Sequence, residues 1–252
     1  MTGAVKMLQK CNKIAVTIIS MAAVLLFFFA QGAALIVLKP EGALERIIPA
    51  VIIWALCGAA MIFFKVRKIP LSEVGFKSAE KGSLKKLFFL IPLVAVALSG
   101  IIAGVDFSRG ALYIAASLFY VLAIGFAEEI YFRGIICNIW QHTGKTRAIL
   151  LSSALFGACH ALQAIANPDI VQTILAICFA FFYGIAFAQI FLITKSIIPG
   201  IAIHAFHDFC SFVGKSVSAE ENIILGTAQT AVILAFICAI HFLVLSKKKQ
   251  KK

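Results

Sequence analysis

Charged residues are scarce in this chain of 252 residues, since Asp, Glu, Lys and Arg together make up 13%. Soluble domains carry about 25% charged residues, so the composition excludes an ordinary soluble globular protein. Acidic residues are especially few, with 11 Asp and Glu against 23 Lys and Arg. Because 62% of the residues are hydrophobic and the mean hydropathy is +1.02, the sequence predicts a polytopic membrane protein.

The sequence also lacks the features of a disulfide-stabilised or multidomain protein. All of its cysteines except Cys11 lie in apolar runs, and none belongs to a C-x-x-C motif, so no disulfide framework is expected. No soluble second domain and no internal repeat interrupts the apolar runs. The whole chain, residues 1–252, is therefore predicted to be a single membrane domain.

Long apolar runs fill most of the chain, and most of them approach the roughly 20 residues that a helix needs to cross a bilayer. The predicted fold is all-α: a polytopic membrane bundle of about eight transmembrane helices. The runs are residues 14–38, 47–64, 87–104, 111–140, 147–166, 170–194, 197–213 and 222–245.

Lysine and arginine residues gather in alternate connections between these runs. Residues 65–86 form a strongly basic loop, and residues 246–252 form a basic tail. The positive-inside rule places such segments in the cytoplasm, so both termini are predicted to be cytoplasmic. The same rule explains the net charge of +12. The expected partner of these lysines is the lipid bilayer, and no nucleic acid is expected.

The segment from Phe126 to Arg133 places two carboxylates and a guanidinium inside the fourth run. Charges at membrane depth cost roughly 2.5–3.5 kcal/mol each, so they must be paired or face a wet cavity. Glu129 and Arg133 are four residues apart on a helix and are predicted to pair. Glu128 lies about 100° away from Glu129 around an α-helix, so it is predicted to stay free for chemistry.

Further polar side chains lie at a similar depth in other runs. His160 is in the fifth run, and His204 and Asp208 are one helical turn apart in the seventh. At 1.5 Å per residue, Glu128, His160 and His204 lie roughly 12–20 Å from the predicted cytoplasmic ends of their helices. We therefore expect one shared site in the inner half of the membrane, with cleavage near the cytoplasmic face. His207, which is off the face of His204 and Asp208, is assigned a structural role as a hydrogen-bonding residue between helices. Tyr183 is assigned to packing between helices.

Three motifs, in this order, carry a resemblance to a known family: Glu128-Glu129-x-x-x-Arg133, Phe156-x-x-x-His160 and His204-x-x-x-Asp208. They resemble the motifs of the CAAX protease and bacteriocin-processing (CPBP or Abi) family, which includes the Ras-converting prenyl endopeptidases. The resemblance covers about residues 111–213. It implies an intramembrane endopeptidase that uses a Glu-activated water to hydrolyse a peptide bond of a membrane-anchored or membrane-inserted substrate.

The resemblance also implies a role for each motif residue. Glu128 would be the general base, His160 would help to hold the water, and His204 and Asp208 would form the oxyanion hole. An ionised Asp cannot donate a hydrogen bond, so Asp208 would have to be protonated or would orient His204 instead. The candidate catalytic residues are Glu128, Glu129, Arg133, His160, His204 and Asp208.

The preferred mechanism requires no cofactor. Zinc is an open alternative, because the family has also been described as metalloproteases. Its ligands would be His160, His204 and Glu128, with an open position for water. The sequence contains no H-E-x-x-H motif, so such a site would have to be assembled across helices.

Non-catalytic functions are the alternative to a protease. Intramembrane Glu and His also form proton relays, as in a proton-coupled transporter. A bacteriocin-immunity protein that binds a toxin is a second possibility of this class. The expected partner of the protease is a membrane peptide or protein substrate. The chain is expected to be a multi-pass protein in the plasma membrane of a prokaryote.

Overall fold

The computed structural model describes residue 8 and residues 11–83, 90–165 and 169–241. Regular structure in these ranges is helical, apart from an isolated β-bridge between Val105 and Gly214. The helices are α1 Lys13–Leu38, α2 Leu44–Val66, α3 Ile91–Leu98, α4 Gly110–Glu128, α5 Lys145–Cys159, α6 Ile170–Thr194, α7 Ile198–Val213 and α8 Ala219–Ile240. Helix α4 continues as a π-helix from Glu129 to Cys137 and ends with the turn Asn138–Trp140.

The prediction of an all-helical membrane protein is confirmed, but the count of eight spans is not. In the described ranges, five helical stretches are long and apolar enough to cross a membrane: Lys13–Leu38, Leu44–Val66, Phe107–Trp140, Ile170–Thr194 and Ala219–Ile240. Helices α3 and α7 belong to shorter apolar stretches, and α5 ends at Cys159. The basic tail 246–252 and the last residues of the loop 65–86 lie outside the described residues.

Polar side chains determine where several helices begin. Asn12 caps α1 by accepting hydrogen bonds from the amides of Ile14 and Ala15. Asp169 caps α6 in the same way, and Ser218 caps α8 within a capping box. These contacts satisfy amides that have no partner inside the helix, so they fix the points at which the loops end.

One end of the bundle, which we call the basic end, is built from the loop 67–83 and the connection between α6 and α7. The amide of Ile197 donates to the carbonyl of Gly75, and the hydroxyl of Ser196 donates to the carbonyl of Lys77. Trp140 donates to Thr17, which brings the start of α1 to the same end. The basic loop is thus packed onto the bundle by backbone hydrogen bonds.

The opposite end, which we call the distal end, contains the connections 39–43, 102–109 and 214–218. The amide of Lys215 donates to the carbonyl of Gly104, close to the bridge between Val105 and Gly214. Arg109 and Glu45 form an ion pair of 2.7 Å there. The two ends therefore contain alternate connections of the chain.

Helices α4 and α7 approach closely, and their contact positions the polar residues described below. Gly125 of α4 faces the backbone of α7, and a Cβ at this position would lie 3.3 Å from the carbonyl oxygen of Ile201. Gly200 of α7 faces Glu129, where a Cβ would lie 2.7 Å from Oε2. Small residues allow helices in membranes to pack at short distance. They bring the acidic motif of α4 against the histidine motif of α7.

A second close approach supports a stability prediction. A Cβ at Gly100, in the turn after α3, would lie 2.9 Å from the amide nitrogen of Ser211 in α7. The backbone of α7 cannot move away easily to make room for this Cβ. We therefore expect Gly100→Ala to lower the free energy of unfolding by about 1–3 kcal/mol. Thermal unfolding in detergent measures the loss.

Gly58→Ala is the matched control, because no atom lies within 4 Å of the Cβ that it adds to α2. Its stability should be unchanged or raised by up to about 1 kcal/mol, as alanine favours a helix. Equal stability of the two variants would contradict the close contact between the turn after α3 and α7.

Candidate active site

The charged motif of α4 lies where the helix changes its winding. Glu128 is the last α-helical residue, and the π-helix begins at Glu129. π-Helical segments are rare and frequently occur at functional sites. The angles predicted for a regular α-helix therefore do not hold beyond Glu128. The sequence offers no simple signal for this winding.

Glu129 and Arg133 form the predicted ion pair, with 2.9 Å between Oε1 and Nη1. Both side chains are 1% exposed. Arg133 also donates from Nη2 to the carbonyl of Gly184, and its guanidinium lies over the ring of Phe156 at 4.5 Å. The pair is buried, and the guanidinium contacts both α5 and α6.

His204 is surrounded by three carboxylates. Its Nε2 lies 3.2 Å from Oε2 of Glu128 and 3.7 Å from Oδ2 of Asp208. Its Nδ1 lies 3.5 Å from Oε1 of Glu129. Glu128 lies outside the ion pair between Glu129 and Arg133, and the packing of α4 on α7 brings it against His204 instead. The imidazole links the acidic motif to Asp208.

Asp208 has a second histidine neighbour, to which sequence reasoning gave only a structural role. Oδ1 of Asp208 lies 3.2 Å from Nδ1 of His207. The ring of His207 stacks on Phe179 with 5.4 Å between centroids. The signal in the sequence was the direct adjacency of the two residues. Helix periodicity did not indicate the contact between these side chains, because neighbouring positions point in directions about 100° apart.

His160 lies at the end of α5, where its ring orientation is fixed by the backbone. Nδ1 lies 3.1 Å from the carbonyl oxygen of Phe156, which can only accept a hydrogen bond. Nδ1 therefore carries the proton, and Nε2 is the acceptor atom. The ring of Phe156 contacts both His160 and His204, at centroid distances of 4.9 and 5.9 Å. Phe156 thus explains the spacing of the second motif.

These groups meet at a cavity of about 350 Å³ between α5, α6, α7 and α8. His160, His204 and Asp208 line it, together with His207 and Tyr183. Glu128, Glu129 and Arg133 lie outside this lining, behind His204. The structure therefore brings all six candidate residues together, three at the cavity and three behind it.

Tyr183 also belongs to the cavity, although the sequence suggested only packing. Its hydroxyl is buried and has no hydrogen-bond partner among the described residues. Its ring contacts that of His207 at 5.1 Å and that of His204 at 6.2 Å. Tyr183 is thus both a packing residue and part of the cavity wall.

The cavity extends from these residues toward the distal end of the bundle. Its rim contains Gln172 near the start of α6, Ser211 near the end of α7 and Asn222 near the start of α8. All three helix termini lie opposite the basic end. The expected depth of the polar residues in the membrane stays a prediction. Depth along single helices does not show where neighbouring helices separate, and here they separate toward the distal end.

The candidate zinc ligands do not form a metal site. In the part of the chain that the structure describes, no three His, Cys, Asp or Glu side chains are grouped to hold a metal ion. Both ring nitrogens of His204 face carboxylate oxygens, those of Glu128 and Glu129. His204 thus contacts Glu128 and Glu129 directly, while His160 is not grouped with them, so His160, His204 and Glu128 are not assembled as a three-ligand site in this arrangement.

Comparison with known proteins finds a family match over part of the chain. Residues 110–210 match the family model described as type II CAAX prenyl endopeptidase Rce1-like. This part of the chain is Rce1-like. The match runs from the start of α4 through most of α7 and includes all six candidate residues, which confirms the resemblance noted in the sequence. No curated protein and no solved structure matches the chain.

Proposed function

We propose that this chain is an intramembrane endopeptidase. It hydrolyses a peptide bond of a membrane-anchored or membrane-inserted substrate, in the plasma membrane of a prokaryote. The observation that carries the proposal is the convergence of His160, His204 and Asp208 at one cavity within an Rce1-like segment, with Glu128 directly behind His204. The family description names prenyl endopeptidases, which supports a peptide substrate held at the membrane.

Glu128 is the proposed general base. Its Oε2 is buried, and no described residue donates an aligned hydrogen bond to it, so this oxygen can still accept one. His204 lies 3.2 Å from the same oxygen and stands between it and the cavity. Catalytic contacts often tighten only when substrate binds. Glu128 takes the proton of the attacking water and passes it to the leaving amine as the C–N bond breaks.

The histidines hold the other reacting atoms. Nε2 of His160 is an acceptor at the cavity and helps to orient the water. His204 donates a hydrogen bond to the oxygen of the scissile carbonyl as negative charge develops on it. Such a donor is worth about 2.7–4 kcal/mol in the transition state. Asp208, which cannot donate when ionised, contacts both His204 and His207 and orients them.

Glu129 and Arg133 support this arrangement from behind the cavity. The ion pair fixes Glu129 against Nδ1 of His204, at 3.5 Å. This contact holds the imidazole with Nε2 toward Glu128 and Asp208. We therefore propose that the pair positions His204 and does not touch substrate.

The proposal is tested by comparing membrane proteins from cells that produce the wild-type chain or Glu128→Gln. At least one membrane-anchored protein should lose a terminal segment in the presence of the wild type and stay uncut with Glu128→Gln. Peptide mass spectrometry of the membranes identifies it. Glu220→Gln, exposed at the start of α8, is the control and should cleave like the wild type. Identical membrane proteins in all three strains would favour a transporter or an immunity protein.

Metal analysis separates the two chemical mechanisms. Since the three candidate ligands are not grouped as a metal site, we expect purified protein to retain activity after exhaustive chelation. It should hold no stoichiometric zinc. Finding about one zinc per chain, lost in His160→Ala or His204→Ala, would show the metal mechanism instead.

A further inference from the structure

The cavity occupies one half of the bundle along the helix axes. Its deep part is formed by Tyr183 and His204, near the middle of α6 and α7. Its rim on α6 is Gln172, eleven residues from Tyr183, which corresponds to about 16 Å along the helix. Asn222 and Ser211, also at the rim, are exposed. The cavity therefore runs from mid-bundle to the distal end.

No described residue of the basic end lines this cavity. Helix α6 runs from the rim to Thr194, where the carbonyl accepts a hydrogen bond from Glu80 of the basic loop. Lys195 follows directly and donates to Gln141. Helix α7 starts beside them at Ile198. A peptide that enters at the rim thus comes from the end opposite these lysine-rich connections.

Charge at the two ends is strongly unequal among the described residues. Nine Lys and Arg side chains lie at the basic end: Lys13, Lys65, Arg67, Lys68, Lys77, Lys81, Lys145, Arg147 and Lys195. Four lie at the distal end: Lys39, Arg46, Arg109 and Lys215. Short connections rich in Lys and Arg remain in the cytoplasm when a membrane protein inserts. The basic end is thus the cytoplasmic end by this rule.

From these two observations we propose that the cavity opens on the outer face of the membrane. If the chain is the endopeptidase proposed above, its substrate is a membrane-anchored peptide that is presented from outside. The rim suits an extended peptide backbone, because Gln172, Asn222 and Ser211 offer uncharged hydrogen-bonding groups. Leu175 and Ile223 add apolar surface. The step that supplies such a substrate is membrane insertion or translocation, and cleavage follows it.

Labelling of single added cysteines tests the side on which the cavity opens. Asn222→Cys reports the rim, and Lys81→Cys reports the basic end. A membrane-impermeant maleimide is applied to right-side-out and to inside-out vesicles. We expect Asn222→Cys to be labelled above background only in right-side-out vesicles, and Lys81→Cys only in inside-out vesicles. The wild-type chain, with its seven cysteines, gives the background in each preparation.

Lys215→Cys is a second reporter of the distal end, away from the cavity lining, in case Asn222→Cys does not fold. It should be labelled from the same side as Asn222→Cys. Labelling of either distal reporter only in inside-out vesicles would overturn the proposal, and so would labelling of Lys81→Cys from the same side as the distal reporters. None of these results depends on cleavage. The proposal about the side on which the cavity opens and the proposal of proteolysis can therefore each be overturned without the other.

Discussion

Glu128→Gln is expected to abolish cleavage while the free energy of unfolding stays close to that of the wild type. Glutamine keeps the size of the side chain but removes the base, and loss of a general base typically lowers the rate 10²- to 10⁴-fold. Stability should change little, because His204 keeps two other carboxylate neighbours, Glu129 and Asp208. Cleavage of the identified substrate and thermal unfolding in detergent measure the two effects.

Glu129→Gln, at the neighbouring position, is the matched comparison and should behave differently. It leaves the guanidinium of Arg133 without its counter-charge at a site that is 1% exposed. Removing one partner of a buried ion pair typically costs 3–5 kcal/mol, so both stability and activity should fall. A stable but inactive Glu129→Gln, together with an active Glu128→Gln, would show that the two carboxylates have the opposite roles.

Arg133→Ala is expected to have the largest effect on stability of any single substitution in this site. It strands the buried carboxylate of Glu129, which typically costs about 3–5 kcal/mol. It also removes the contact of the guanidinium with Phe156, at 4.5 Å, and the hydrogen bond to Gly184. Poor yield or a lower midpoint of thermal unfolding should follow.

Arg109→Ala provides the control, since Arg109 also pairs with a glutamate, Glu45, at 2.7 Å. That pair is 39% and 33% exposed, so its loss should cost no more than about 1 kcal/mol. The double variant Arg133→Met with Glu129→Gln should be more stable than either single variant, because no charge is left unpaired. If Arg133→Ala unfolds like the wild type and loses only activity, Arg133 would be a residue of the reaction itself.

Local pattern was enough to predict those features that depend on neighbours in sequence. Apolar length predicted the helices, since each long run satisfies its backbone hydrogen bonds internally in a bilayer. The spacing of four residues predicted the pair between Glu129 and Arg133, which the structure contains. The order of the three motifs was sufficient to recognise the family.

Contacts between helices were less accessible to sequence reasoning. The sequence did not indicate that Glu128 faces His204, a contact that arises because small residues let α4 approach α7. His207 was given only a structural role from its angle on one helix, and the structure places it against Asp208 at the cavity. Both contacts were missed because each helix was treated as isolated and regular.

The sequence by itself determined that this is a helical membrane protein with charged motifs at membrane depth, because burial of apolar surface and the cost of buried charge act on each segment separately. Only the tertiary structure decided that His204 lies among three carboxylates and that the cavity opens at the distal end. Those features depend on which helices touch and where they separate. Such distances are set by close packing across the bundle, which periodicity along one helix does not contain.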